Sequence, residues 1–110
     1  MINSTILIGR LAKDPKVKEL ESGKKVSNIT LAVNKPYRDV NGKYGVDFID
    51  CTLWQEVAEN TSEYCEKGDL IGVKGRLEIR DKKLILVAEN ITFLNHTKQK
   101  EDEELDDLPF

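Results

Sequence analysis

Five short stretches rich in Ile, Val, Leu and Thr recur along this chain, and a turn signal separates each from the next. They are residues 4–11 ("STILIGRL"), 25–34 ("KVSNITLAVN"), 45–54 ("GVDFIDCTLW"), 69–80 ("DLIGVKGRLEIR") and 84–94 ("LILVAENITFL"). β-branched and apolar runs of this length between turn residues read as strands. "LESGKK" parts the first two, and "VNGKYG" holds an Asn41-Gly42 pair, a strong hairpin signal. "RDKK" joins the last two in a tight connection. One helix interrupts the series. Over residues 55–67, Val57, Ala58, Thr61, Tyr64 and Cys65 fall on one face at helical spacing, and Gly68 follows as a C-terminal stop.

Three strands, a helix and two strands is the order of an OB-fold, a five-stranded Greek-key barrel. The fold class expected is therefore all-β with one helix, although the periodicity alone admits other small barrels. With 110 residues the chain suits one domain and a short tail. The barrel is expected over residues 1–95 and an acidic, disordered tail over 96–110, where apolar periodicity stops and Lys, Glu and Asp dominate. Charge divides the same way: residues 1–97 carry a net +1 and residues 98–110 a net −4. The acidity thus belongs to the tail and does not argue against a nucleic-acid partner.

Alternation along the strands assigns faces. In the third strand Ile49, Cys51 and Leu53 share the core side, while Phe48, Asp50, Thr52 and Trp54 share the other. In the fourth, Ile71, Val73, Leu77 and Ile79 take the core parity and Lys74, Arg76, Glu78 and Arg80 the opposite one. The segment after the second strand adds Lys35, Tyr37, Arg38 and Lys43. Aromatic rings on a polar sheet face beside cations suit single-stranded nucleic acid, since bases stack on rings while Lys and Arg meet phosphates. Parity leaves a second reading open, in which Phe48 and Trp54 pack into a subunit contact or a second small core. Stacking platforms also accept RNA as well as DNA.

Other classes fit less well. "GDLIGVKGR" lacks the spacing of a phosphate-binding loop, and no nucleophile stands with a histidine, because His96 lies at the edge of the tail. No enzymatic activity and no cofactor is expected. Cys51 and Cys65 lack a metal spacing and are expected to be buried thiols, with no metal bound. No run of 18 apolar residues is present, so no membrane helix is expected, and the N-terminus lacks a basic leader and a small-residue cleavage site. A cytoplasmic, nucleoid-associated protein is the expectation.

"INSTILIGRLAKDP", "SNITLAVNKPYRD", "DFIDCTLWQEVAENTSEYCEKGD", "GVKGRLEIR" and the ending "DDLPF" stand in order along the chain. Together they resemble the bacterial and phage single-stranded DNA-binding proteins, whose tails end in an Asp-Asp-Ile-Pro-Phe-type tip. The resemblance implies an OB-fold, usually a homotetramer, that coats and protects single-stranded DNA in replication, recombination and repair. It places Tyr37, Phe48 and Trp54 as base-stacking rings; the cations that strand parity and the hairpin supply, Lys35, Arg38, Lys43, Lys74, Arg76 and Arg80, are expected at the phosphates. Some positions depart from the family pattern. "RDKK" leaves no room for the long hairpin that often carries another stacking ring, Gln55 and Glu56 follow Trp54 where a basic residue is frequent, and Asp50 and Glu78 add negative charge. Weaker binding at physiological salt than that of a full-length housekeeping relative is the consequence expected.

The tip consists of Asp106, Asp107, Leu108, Pro109 and Phe110. Phe110 offers an apolar anchor, and its α-carboxylate with Asp106 and Asp107 offers charge to Arg/Lys clusters. Pro109 stiffens the approach. The tip is therefore expected to dock replication, recombination and repair proteins.

Overall fold

The computed structural model describes residues 1–94; the tail over 96–110 and its tip lie outside the described residues. The five expected strands are β1 (Thr5–Leu11), β3 (Lys25–Arg38), β4 (Tyr44–Trp54), β5 (Leu70–Arg80) and β6 (Lys83–Phe93). A two-residue strand that the sequence did not signal, β2 (Lys18–Glu19), pairs with the start of β3. β1 pairs antiparallel with β5 from Thr5 to Arg10 and then with β3 at Arg10 and Leu11. β3 pairs with β4, β4 runs parallel to β6 at Cys51 and Thr52, and β6 pairs with β5. The ring closes as a five-stranded barrel, which leaves few free edges.

Two glycines make that closure possible. A Cβ on Gly9 would lie 2.5 Å from the Ala32 carbonyl oxygen, where β1 bends across β3. A Cβ on Gly75 would overlap the Val87 carbonyl oxygen. Gly75 sits where the register slips from Lys74↔Asn90 to Gly75↔Ala88, so Glu89 is an extra residue and β6 carries a bulge. Such bulges bend a strand and sharpen its twist, as a small closed barrel requires.

The core is lined by the parity expected for β4 and by the facing positions of β3. Ile29, Leu31, Cys51 and Leu53 are buried, as are Ile71 and Val73 of β5 and Leu86 of β6. Each fully buried Leu or Ile contributes about 2 kcal/mol of hydrophobic stabilisation. The expectation for β5 fails past the bulge. Leu77 and Ile79 have core parity but are 37% and 67% exposed. From Glu78 to Ile85 the β5–β6 hairpin pairs only with itself, so no strand remains to cover that face. Asn3 holds the hairpin's base, its side-chain amide donating to the Leu77 carbonyl and accepting from the Leu77 N–H, each at 2.9 Å. The hairpin turn, Asp81-Lys82, is tight as expected, with both residues at positive φ (53° and 67°) in the manner of a type I′ turn.

The helix α1 (Gln55–Tyr64) starts directly after β4, through a positive φ of 55° at Gln55. It buries Ala58 and Thr61 against the barrel end, and the Tyr64 ring lies 5.9 Å from that of Phe93. The helix ends earlier than expected, with Cys65 as its C-cap, whose N–H donates to the Thr61 carbonyl. Gly68 is not the stop. At φ 93° it turns the chain into β5, and its N–H donates to the Leu11 carbonyl.

Gly75→Ala is expected to destabilise the barrel by about 3 kcal/mol or to prevent folding, because the clash is with backbone rather than with a flexible side chain. A urea-denaturation midpoint equal to that of the unmodified protein would refute the role assigned to this glycine.

Candidate nucleic-acid interface

Alternation turns the even-numbered side chains of β4 outward, opposite the matching positions of β3. Trp54 pairs with Val26, Thr52 with Asn28, Asp50 with Thr30, and Phe48 with Ala32. Phe48 is 66% exposed, and Trp54, at the junction with α1, is half-buried. Between them Thr52 is buried on this outer side, donating to Asn28 Oδ1 at 3.0 Å. The exposed polar side chain of the four is Asp50, which takes a long contact of 3.4 Å from Thr30 Oγ1.

Beyond the barrel, β3 and β4 continue as a two-stranded arm. β3 carries two more residues than β4 between the pairs Asn34↔Val46 and Arg38↔Tyr44, and Lys35, Pro36 and Tyr37 fall in this irregular stretch. Proline has no N–H to give a ladder, so a bulge is where a strand tolerates it. Tyr37 is 62% exposed there. The Asn41-Gly42 signal marks a real hairpin, with a longer loop than two residues. Asp39 accepts from the N–H groups of Asn41 (2.8 Å) and Lys43 (3.0 Å), and Gly42 takes φ 80°.

The six cations expected at phosphates are not equivalent. The Lys35 ammonium bonds Asp47 at 2.5 Å, and that hydrogen bond holds its pKa above the usual lysine value. Glu78 bridges two guanidinium groups, with Arg80 Nη2 at 2.6 Å and Arg76 Nη2 at 3.8 Å, and Arg76 also reaches Glu89 at 3.4 Å. The hydrogen bond from Arg80, with the charges of Arg80 and Arg76, keeps the Glu78 carboxyl below the ordinary range. Arg38 lies over the ring of Tyr44, 5.2 Å from its centroid. Lys43 and Lys74 form no ion pair among the described residues.

Arg80 alone of the β5 cations lines the groove of about 350 Å³ that also meets Asn28, Thr30, Asp50 and Thr52. Lys74 stands opposite Ile6 and Asn90, about 20 Å further along the strand. Lys13 and Lys83, which sequence reasoning did not single out, complete the rim, and Lys13 with Lys16 lines an adjoining groove. No sequence pattern marks these lysines, since only closure of the barrel brings the end of β1 beside the β5–β6 hairpin. Tyr44, 54% exposed, was missed for another reason: it has the parity of Phe48 and Trp54 but precedes the expected start of the strand.

Both cysteines are buried thiols outside any disulfide, as expected. Burial pushes the Cys51 thiol up to about 12, and the nearby Asp50 charge adds to the effect. A thiol so raised has almost no thiolate at neutral pH and is a poor nucleophile.

Known proteins share this sequence pattern and this fold. The chain is 45% identical over 80 residues to single-stranded DNA-binding protein B of Bacillus subtilis, covering 73% of this chain and 71% of that one. It is 40% identical over 108 residues to single-stranded DNA-binding protein 1 of Clostridium acetobutylicum, covering 89% and 98%. The crystal structure of the wild-type single-stranded DNA binding protein from Thermus aquaticus superposes with a TM-score of 0.73 at 28% identity, covering 90% of this chain and 43% of that one. Among other curated relatives the chain spans 40% to 64% of their length. Residues 2–94 match the single-strand binding protein family along their whole length, and the chain, an OB-fold barrel, belongs to that family.

Proposed function

We propose that this chain binds single-stranded DNA without base-sequence preference, as a coat rather than as an enzyme. The observation that carries the reading is the exposed ring of Phe48, on the same outer side of β4 as Trp54 and as Asp50 and Thr52, which line a groove with Lys13, Arg80 and Lys83. A ring left in water on a strand face is costly unless something stacks on it, and bases supply π-faces of any sequence. Tyr37 extends the stacking surface onto the arm, where Lys35, Arg38 and Lys43 meet phosphates, and Lys74 and Arg76 meet them separately on β5. The relatives' names supply the nucleic-acid class. Coating and protection during replication, recombination and repair, in the cytoplasm and at the nucleoid, follow from that class.

Two further parts belong to the same reading. The exposed apolar residues Ile6 and Ile8 on β1, and Ile79 and Leu84 on the hairpin, are surface that subunit contacts in a homotetramer would cover. The acidic tip, Asp106 to Phe110, recruits replication and repair proteins. Like charge keeps it off DNA.

Trp54 is the single tryptophan, so its emission reports the site directly. Oligo(dT) is expected to quench it and added salt to restore it. Trp54→Ala, or Phe48→Ala at the more exposed ring, is expected to weaken binding about tenfold or more, in line with ~1–3 kcal/mol per stacked base. No quenching, with neither variant changing affinity, would overturn the proposal.

Carboxylates already occupy Lys35, Arg76 and Arg80, so DNA must displace them. Glu78→Gln is therefore expected to tighten binding severalfold and to steepen the dependence of log K on log salt by about one unit. Unchanged affinity and slope would show that Arg76 and Arg80 do not reach phosphate.

Deleting Leu108–Phe110 is expected to leave oligo(dT) affinity unchanged or slightly tighter and to abolish capture of host replication and repair proteins. Unchanged capture would remove the docking role.

A further inference from the structure

Arg38 and Tyr44 are the last cross-strand pair before the loop of the β3–β4 arm, and directly opposed residues of antiparallel strands share a face. The guanidinium carbon lies 5.2 Å from the ring centroid. That is the distance of a cation held over a ring face. Arg38 forms no ion pair among the described residues, unlike Lys35, Arg76 and Arg80. Its guanidinium therefore meets the ring rather than a carboxylate. The support beneath is built: Asp39 ties down the N–H groups of Asn41 and Lys43, and the Asp39 N–H returns to the Lys43 carbonyl at 2.8 Å. Tyr44 still presents 54% of its surface and continues the outward row of Val46 and Phe48, about 13 Å along β4 from Phe48. The β5–β6 hairpin, turned by Asp81-Lys82, carries no aromatic residue between Leu70 and Thr92.

We propose that Arg38 and Tyr44 form a composite stacking site for a nucleobase at the tip of the β3–β4 arm, an additional position beyond Tyr37, Phe48 and Trp54. The proposal rests on the single-stranded DNA reading and changes the part Arg38 plays in it. Arg38 acts through its plane, as the cover of an aromatic ring and a surface for a base, and not chiefly as a phosphate contact. Planar guanidinium groups stack on aromatic faces and on bases, whereas a lysine ammonium is a point charge that does neither in the same way. The ligand is any unpaired base. The site lengthens the path of the strand along the arm, where the short β5–β6 hairpin offers no ring.

The two roles of Arg38 separate by salt dependence, because losing a phosphate contact lowers the slope of log K against log salt by about one unit while losing a stacked base leaves it unchanged. Oligo(dT) long enough to span barrel and arm is titrated against the unmodified protein, Tyr44→Ala, Tyr44→Phe, Arg38→Lys and Arg38→Ala at several salt concentrations, with Trp54 emission as the readout. Tyr44→Ala is expected to weaken binding about tenfold with the slope unchanged, and Tyr44→Phe to bind as the unmodified protein does. Arg38→Lys keeps the charge and is expected to weaken binding severalfold, again at constant slope. Tyr44→Ala binding like the unmodified protein would overturn the proposal. So would Arg38→Lys binding normally while Arg38→Ala lowers the slope. Absence of quenching in the unmodified protein would instead refute the single-stranded DNA reading, and the stacking site with it. Far-ultraviolet circular dichroism confirms that each exposed-site variant is folded.

Discussion

Where β1 bends across β3, the backbone of Gly9 runs against the carbonyl of Ala32, and the barrel depends on that approach. β1 must serve two neighbours, β5 over its first part and β3 at its end. Without the second pairing the sheet is an open ribbon and its inner face has nothing to close on. With it, Leu31, Leu53, Ile71 and Leu86 enclose one another, and the outward parity of β4 becomes an exterior surface. The exposed rings follow from closure: once the odd-numbered positions of the inner part of β4 fill the core, Phe48 has only solvent or a ligand to face.

Closure also creates the charge pattern of the outer surface. The end of β1 and the β5–β6 hairpin converge on the groove over Asp50 and Thr52, bringing Lys13, Arg80 and Lys83 together from distant parts of the sequence. The same surface carries its own anions. Glu78 sits between Arg76 and Arg80, and Asp47 holds Lys35, so carboxylates already occupy places that phosphates would take. Exposed ion pairs of this kind add little stability, and their main consequence is competition with a polyanion. Net charge, near neutral through the barrel, gives no view of this, because it does not distinguish a free cation from a paired one.

Much of this was legible in the residues, and particular elements show why the rest was not. β3, β4 and α1 were readable because each has a long stretch of unbroken periodicity, and the outward placement of Phe48 and Trp54 followed from alternation alone. Leu77 and Ile79 misled, since alternation says which side a residue takes but not whether another layer covers that side. The two-residue β2 is too short to have a period. Gly68 looked like a helix stop, but Cys65 closes the helix through Thr61 and the glycine serves a later turn. Tyr44 has the right parity and was lost only because the strand begins one residue earlier than its turn signals suggest.

The sequence by itself determined the order of the elements, the face each central β4 residue takes and the family to which the chain belongs. These depend on local periodicity and on motifs read in order, both of which a linear chain records. Tertiary structure decided which cations are free, which residues rim the groove and where Arg38 lies. Those depend on distances between segments far apart in the chain, and the bulge at Glu89 and the crossing at Gly9 set those distances.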